Sequence, residues 1–199
     1  MSNKKNQKIA SEKEIGQKKN LKSENKEKKA LGENIMRKAE IEKVVLSCGG
    51  VGDKLEKSMK LLGLLSGKKV KKVASTKRVP AFGVRPGLEI GCVVTIRGKE
   101  KEEILKRLLE AIDRKIKKKQ IKRNGFSFGI REYLEIPGME YQRDIGILGL
   151  NVTIVFRRKG KRISFRKIKR GRLPEKQHVT AEEIIDFLIN KFNVEVGGK

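Results

Sequence analysis

The sequence has no tryptophan, a single histidine (His178), two cysteines (Cys48 and Cys92) and four prolines, and its acidic residues number fewer than half its basic ones. Each scarcity excludes something. A structural zinc site takes four Cys or His ligands, and the whole chain offers three such residues, so no such centre can form. Each cysteine sits inside an apolar stretch, which fits a buried thiol in a reducing compartment rather than a secreted disulfide scaffold. Catalysis is short of materials as well. His178 stands just before a predicted helix with no cysteine near it in sequence, and the acids are mostly interleaved with lysine as ordinary surface patterning (Glu100 to Lys106). No apolar run approaches the roughly 20 residues of a membrane span, and the amino terminus lacks the apolar core of a secretory signal. The expectation is a cytoplasmic chain with no cofactor, no metal and no membrane partner.

What is abundant is positive charge. Fifty Lys and Arg face 24 Asp and Glu, a formal net charge of +26 over 199 residues. A compact domain carrying that charge repels itself, so a polyanionic partner is expected. The charge is blocked. Lys68 to Arg78 holds one group, Arg114 to Arg123 a second, and Arg157 to Arg172 contains ten basic residues and no acid. A single block reads equally well as a solvated loop; three of them plus a basic tail read as an extended footprint for a folded nucleic acid. Charge alone does not separate RNA from DNA. Aromatics make up 5% of the chain, and Phe126, Phe128 and Phe156 fall on alternating apolar faces, so they are assigned to the core. Recognition is then expected through backbone and shape rather than base stacking.

Residues 1–33 are Lys, Asn, Glu, Gln and Ser around isolated Ile9, Ile15 and Leu21, a composition that predicts a disordered basic tail. From there on the pattern is that of one domain, 34–199. Ile41–Cys48 is β-branched and apolar, a strand. Asp53 as N-cap with Glu56 predicts a helix whose face is Leu55, Met59, Leu62 and Leu65, ended by Gly67. Val70–Thr76 and Glu89–Arg97 read as strands, separated by a long loop rich in Pro and Gly. Ile104, Leu105, Leu108, Leu109, Ile112 and Ile116 predict a second helix. Phe126–Ile130 and Leu150–Phe156 alternate as strands with one face solvated or bound. Thr180 and Glu183 form a capping box before a helix carrying Ile184, Ile185, Leu188 and Phe192. The order β-α-β-β-α-β-β-α predicts an α+β fold, a mostly antiparallel sheet with helices on one face. Two glycine motifs fail as phosphate loops. Gly49-Gly50-Val51-Gly52 lacks the third glycine of a dinucleotide fingerprint, and Gly63 to Lys68 is one residue short of a P-loop. A tight strand-to-helix turn and a helix stop explain them.

Longer strings are more specific. Val79-Pro-Ala-Phe-Gly-Val-Arg-Pro-Gly-Leu-Glu-Ile-Gly-Cys-Val-Val-Thr-Ile-Arg-Gly98 resembles the signature of the ribosomal large-subunit protein five family. Glu33-Asn-Ile-Met-Arg37, Ile41-Glu-Lys-Val-Val-Leu46, Phe126-Ser-Phe-Gly-Ile-Arg-Glu132, Pro137-Gly-Met-Glu-Tyr141 and Gly146-Ile-Leu-Gly-Leu150 resemble further parts of it in order. The arginine-rich segment followed by His178-Val-Thr-Ala-Glu-Glu183 is similar to the archaeal and eukaryotic branch. The resemblance implies a non-catalytic protein of the ribosome that binds 5S rRNA and docks it on large-subunit rRNA in the central protuberance. It also implies a neighbouring 5S-binding ribosomal protein, a small-subunit protein across the intersubunit bridge, and P-site tRNA as partners. Carried over by position, the residues expected on 5S rRNA are Ser47, Lys68, Thr76, Lys77, Thr95 and Arg97. The tRNA-proximal loop is expected to present Arg78, Pro80, Phe82, Gly83 and Arg85. Further rRNA contacts are expected from Arg157, Arg158, Arg162, Arg166, Arg170 and Arg172. The competing readings are a free-standing RNA enzyme with the same basic surface, and a DNA-compacting protein, which the sequence disfavours for want of a recognition helix.

Overall fold

The computed structural model describes residues 36–197, so the expected basic tail at 1–33 lies outside them. The described residues divide into two units, 39–157 with 173–197, and 36–38 with 158–172. The larger unit is the α+β fold anticipated from the pattern. Its strands are β1 (Ala39–Gly49), β2 (Lys71–Ala74), β3 (Glu89–Ile96), β4 (Lys115–Lys117), β5 (Ile121–Lys122), β6 (Gly125–Ile130), β7 (Leu150–Arg158) and β8 (Glu195–Gly197). Its helices are α1 (Asp53–Ser66), α2 (Glu100–Glu110) and α4 (Ala181–Phe192); α3 (Arg162–Phe165) belongs to the other unit.

Six strands form one sheet in the order β2-β3-β1-β7-β6-β5. The pairs β1/β3, β2/β3, β5/β6 and β6/β7 are all antiparallel. Strand geometry sends alternate side chains to opposite faces. One face carries Leu46, Cys48, Cys92, Val94, Ile96, Phe126, Phe128, Val152, Ile154 and Phe156, all buried. Against it lie Leu55, Leu61, Leu62 and Leu65 of α1, Ile104, Leu105, Leu108 and Leu109 of α2, and Ile184, Leu188 and Phe192 of α4, in one continuous core. The three phenylalanines of the strands are interior, as their alternation implied, and Phe156 meets Phe187 edge-on at 5.3 Å between centroids. Thr180 and Glu183 form the expected capping box, with Thr180 Oγ1 accepting from the Glu183 amide and Glu183 Oε2 from the Thr180 amide.

Three local expectations are corrected. Gly52, with φ +62, is the N-cap of α1 in place of Asp53, whose side chain makes no capping bond. Asp53 and Glu56 instead sit in the first turn, where the helix dipole favours negative charge. Met59 is only half-buried, and Leu61 supplies the apolar face beside Leu62. Helix α2 stops at Glu110 and does not continue to Ile116. Asp113 and Arg114 turn left-handed (φ 53 and 57), and Ile116 is buried in β4, paired in parallel with Val196 of β8. Either solution buries Ile116, and a periodicity argument cannot choose between them. The span from Lys77 to Leu88 is the expected long loop, with local order inside it. Val79 and Val84 exchange backbone hydrogen bonds at 2.9 and 3.1 Å around a 3-10 turn at Pro80–Phe82, closed by Gly83 at φ +63.

Candidate nucleic-acid interface

Among the described residues of the larger unit, no helix covers the second face of the six-stranded sheet. Pairing registers place its residues side by side: Val45 opposite Thr95, Ser47 opposite Val93 and Gly49 opposite Gly91 on β1 and β3. On β6 and β7, Ser127 lies opposite Thr153, Gly129 opposite Asn151 and Gly125 opposite Val155. Between these halves, Ser47 Oγ donates to the Asn151 carbonyl at 3.5 Å. None of these central positions carries a charge, although 37% of the chain is charged. Lysine and arginine form the rim: Lys71 on β2 opposite Val93, Arg97 just past β3, Lys122 on β5 opposite Gly125, and Arg157 on β7. The result is a shallow uncharged trough bordered by cations. Uncharged donors beside a basic border suit a phosphate backbone held at its edges and read at its centre.

The residues expected to hold 5S rRNA are distributed unequally. Ser47 and Thr95 stand on this open face, and Arg97 follows Thr95 in the alternation, with Val94 and Ile96 buried between and beside them. Thr76 and Lys77 are exposed just after β2, at the base of the hairpin; there the Ser75 hydroxyl donates to the Lys77 carbonyl at 2.7 Å. Lys68 lies elsewhere, past the end of α1, where its ammonium pairs with Glu100 at the start of α2. Lys72 points to the helix-bearing side, where the hydrogen bond and charge of Glu89 (2.7 Å) raise it above its ordinary 10.5. Sequence reasoning missed Ser127, Gly129, Asn151 and Thr153. The alternation within each strand showed that they share one side, but only the pairing of β6 with β7 and of β7 with β1 puts them next to Ser47.

In the hairpin between β2 and β3, Arg78, Pro80, Gly83 and Arg85 are exposed and Phe82 is 82% exposed at the tip. Val84 turns inward as its one buried residue. The stem is closed by Ser75 and Leu88, whose amide-carbonyl bond is 2.8 Å. The tip is basic with an uncovered aromatic ring, and its stem is held by backbone hydrogen bonds.

Arg162, Arg166, Arg170 and Arg172 are exposed, and Arg158 is buried. The short α3 is followed by a tight return in which the Gly171 amide bonds the Ile163 carbonyl at 3.2 Å and Arg166 Nε bonds the Lys169 carbonyl at 2.7 Å. Arg157, on β7 of the larger unit, is exposed.

Other chemistry is structural. Gly50 donates to the Ile90 carbonyl at 3.0 Å, and a Cβ there would meet Lys54 at 3.1 Å, so the glycine run serves the turn from β1 into α1. Gly67, at φ +60, ends α1. Among the described residues no three His, Cys, Asp or Glu side chains are placed to hold a metal, and no helix is long and apolar enough to cross a membrane. Cys48 and Cys92 are direct partners across β1 and β3, both facing the core. Burial, with the neighbouring Cys92 sulfur, pushes the Cys48 thiol up from 9.0 to about 12, and burial raises Cys92 too. Protonated, buried thiols are poor nucleophiles. Neither is therefore expected to react with iodoacetamide at pH 8 in the folded protein, and both should react once it is unfolded, as mass spectrometry would show. Because the folded state holds the Cys48 proton more tightly, its contribution to stability is intact below about pH 9 and is lost as pH rises towards about 12.

Comparison with known proteins places the chain among its relatives. Residues 89–187 match the family model that describes the C-terminus of the ribosomal protein L5 family. The large ribosomal subunit protein uL5 of Nanoarchaeum equitans is 41% identical over 167 residues, covering 82% of this chain and 99% of that protein. The protein of the same name from Methanosphaera stadtmanae is 37% identical over 166 residues, with the same coverages. That of Sulfurisphaera tokodaii is 39% identical over 167 residues, covering 82% of this chain and 94% of its own. The matches extend over β1, α1 and β2 as well as the carboxyl-terminal part, so they take in both halves of the open sheet face. The chain belongs to the uL5 family of large ribosomal subunit proteins, in its archaeal form.

Proposed function

We propose that this protein binds 5S rRNA through the open face of its sheet and docks it on large-subunit rRNA in the central protuberance. As a uL5 family member it is a structural constituent of the large subunit, found in the cytoplasmic ribosome, and not an enzyme. The observation that carries the finer reading is the uncharged central face with a border of Lys71, Arg97, Lys122 and Arg157. Exposed Arg162, Arg166, Arg170 and Arg172 supply a further basic surface for large-subunit rRNA, to which the buried Arg158 does not contribute. The hairpin tip at Arg78–Arg85 is assigned to P-site tRNA, and the remaining partners are the neighbouring 5S-binding protein and a small-subunit protein at the bridge.

The test is direct. Affinity for 5S rRNA, measured by filter binding across a salt series, should fall steeply, with a slope of about −0.7 to −0.9 per phosphate neutralised. Replacing Thr95 and Arg97 together with Ala should weaken it by about 1–3 kcal/mol, the range for a charge-assisted hydrogen bond. A flat salt response, or indifference to that double change, sinks the assignment.

The hairpin should behave differently. Phe82 touches little of its own protein, so Phe82→Ala or excision of 80–83 is expected to leave 5S affinity within about twofold, since changes away from an interface are usually within about 0.5 kcal/mol. In reconstituted subunits the same changes should reduce P-site tRNA occupancy. If they abolish 5S binding instead, the division of labour between sheet and hairpin is wrong.

A further inference from the structure

We infer that Phe165 is a base-stacking residue, whose exposed ring takes one unpaired base of large-subunit rRNA while the arginines around it hold the flanking phosphates. The inference rests on the proposed rRNA role of the basic segment and adds what its apolar side chains are for. The chain has seven phenylalanines. Phe126, Phe128, Phe156 and Phe192 are buried, and Phe187 packs against the same core. Phe82 and Phe165 stay outside, and Phe165 is 66% exposed at the end of α3. Ile163 and Ile168 near it are exposed as well, Ile168 by 77%. Apolar side chains scattered singly over a surface are ordinary. Three within residues 163–168 are not, least of all in a stretch, Arg157 to Arg172, that has ten basic residues and no acid.

The local backbone carries this ring. The Ile163 carbonyl accepts from the Gly171 amide at 3.2 Å, and a Cβ on Gly171 would lie 3.0 Å from the Ile163 side chain, so a larger residue there would crowd it. Lys169 makes the turn at φ +49, and Arg166 Nε donates to its carbonyl at 2.7 Å. Ser164 Oγ donates to the Lys161 carbonyl at 2.8 Å. Phe165 and Ile168 lie between the Ile163 and Gly171 closing points, inside this hydrogen-bonded return. Lys161 Nζ sits 5.4 Å from the Phe165 ring centroid, a cation–π contact. At its measured exposure the ring is not closed off by that lysine.

Positive charge and an open ring together select the ligand. Lysine and arginine neutralise phosphates of duplexes and single strands alike. An aromatic face adds something where a base has left its pair, since the splayed bases of loops and bulges stack on aromatic side chains. A folded rRNA offers phosphates and unpaired bases in one ligand. Duplex DNA offers the phosphates alone. A protein partner would have to bury Phe165 among ten cations and bring acids to match them. Stacking thus joins backbone and shape in recognition, from a phenylalanine that lies outside the strands.

The experiment uses the full chain saturated with 5S rRNA and titrated with protein-free large-subunit rRNA over a salt series. Phe165→Ala should bind that RNA about fivefold to a hundredfold more weakly, the range for one base–aromatic stack. Its salt slope should match the wild type, because no charge is lost. Phe165→Leu keeps apolar bulk without a π face and should lose nearly as much, whereas Phe165→Trp should lose little. The chain has no tryptophan, so the introduced indole is the sole one. Its emission should be quenched by large-subunit rRNA and not by a fully paired RNA duplex. Wild-type affinity in Phe165→Leu, no quenching, or equal quenching by the duplex overturns the inference. Wild-type rRNA affinity in Phe165→Ala with poor incorporation into subunits would hand the ring to a protein partner, and overturns it equally. The broader reading fails separately. If replacing Arg162 and Arg170 with Ala leaves affinity and salt slope unchanged, the basic segment is not on rRNA at all.

Discussion

Thr153→Glu is expected to weaken 5S rRNA binding by about a hundredfold or more while leaving the fold intact. Thr153 lies at the middle of the open face, opposite Ser127, and its side chain is exposed. A glutamate there packs against nothing in the core, so its effect on folding should stay within about 0.5 kcal/mol, the ordinary range for a surface change. Against a bound polyanion the same carboxylate is a like charge placed at the centre of the contact, where such juxtaposition costs several kcal/mol. Thr153→Gln separates size from sign, since it fills the trough equally but carries no charge, and should lose much less. Filter binding at constant salt, with circular dichroism to confirm the fold, reads both. If the glutamate variant binds 5S rRNA like the wild type, the open face is not the interface, and the basic segments alone must hold the RNA.

Asn124→Ala should produce a large loss of stability for a single polar change. Asn124 sits between β5 and β6 at φ +65, a left-handed conformation that asparagine tolerates and alanine does not. Its side chain is a double clamp: Oδ1 accepts from the Val179 amide at 2.8 Å, and Nδ2 donates to His178 Nδ1 at 2.7 Å. That second bond fixes the imidazole as the tautomer protonated on Nε2. The backbone adds two more ties, the Asn124 amide to the Val179 carbonyl and the Phe156 amide to the Asn124 carbonyl. Truncation strands the amide of Val179, a fully buried residue, at about 1–3 kcal/mol, and the backbone conformation adds about 1 kcal/mol. A total near 3 kcal/mol corresponds to a fall in Tm of about 6–12 °C for a domain of this size. Asn124→Gly, free of the backbone penalty, should fall less. A thermal melt of the alanine variant within about 2 °C of the wild type would show that water replaces the clamp.

The same residue shows where reading the chain stops. Asn124 and His178 are far apart in sequence, and nothing local marks either as the other's partner. Neither Lys115–Lys117 nor Glu195–Gly197 carries enough residues for a period to be visible, so their parallel pairing was illegible, and with it the early end of α2. Lys68 reads as a cation like any other; its tie to Glu100 exists only because α1 and α2 pack against the same sheet. By contrast, the strands carrying Phe126, Phe128, Val152 and Ile154 were legible because each alternates strictly, and the capping box at Thr180 because its two members are three residues apart.

From the amino acids alone came the polyanionic partner, the missing catalytic and zinc-binding materials, the α+β class and the family. Composition, short-range period and contiguous motifs survive in one dimension, since they depend on what neighbours in sequence do. Which half-faces meet did not. Alternation says that Ser47 shares a side with Val45, and Asn151 with Thr153, but it says nothing of which strands lie together. That was decided by the strand order, in which β7 lies beside β1 and gathers Ser47, Asn151, Thr153 and Ser127 into one uncharged trough. The physical reason is that strand pairing is a long-range choice. It is selected by which apolar faces together close a core with α1, α2 and α4, and the polar residues on the reverse of those strands are assembled as a consequence.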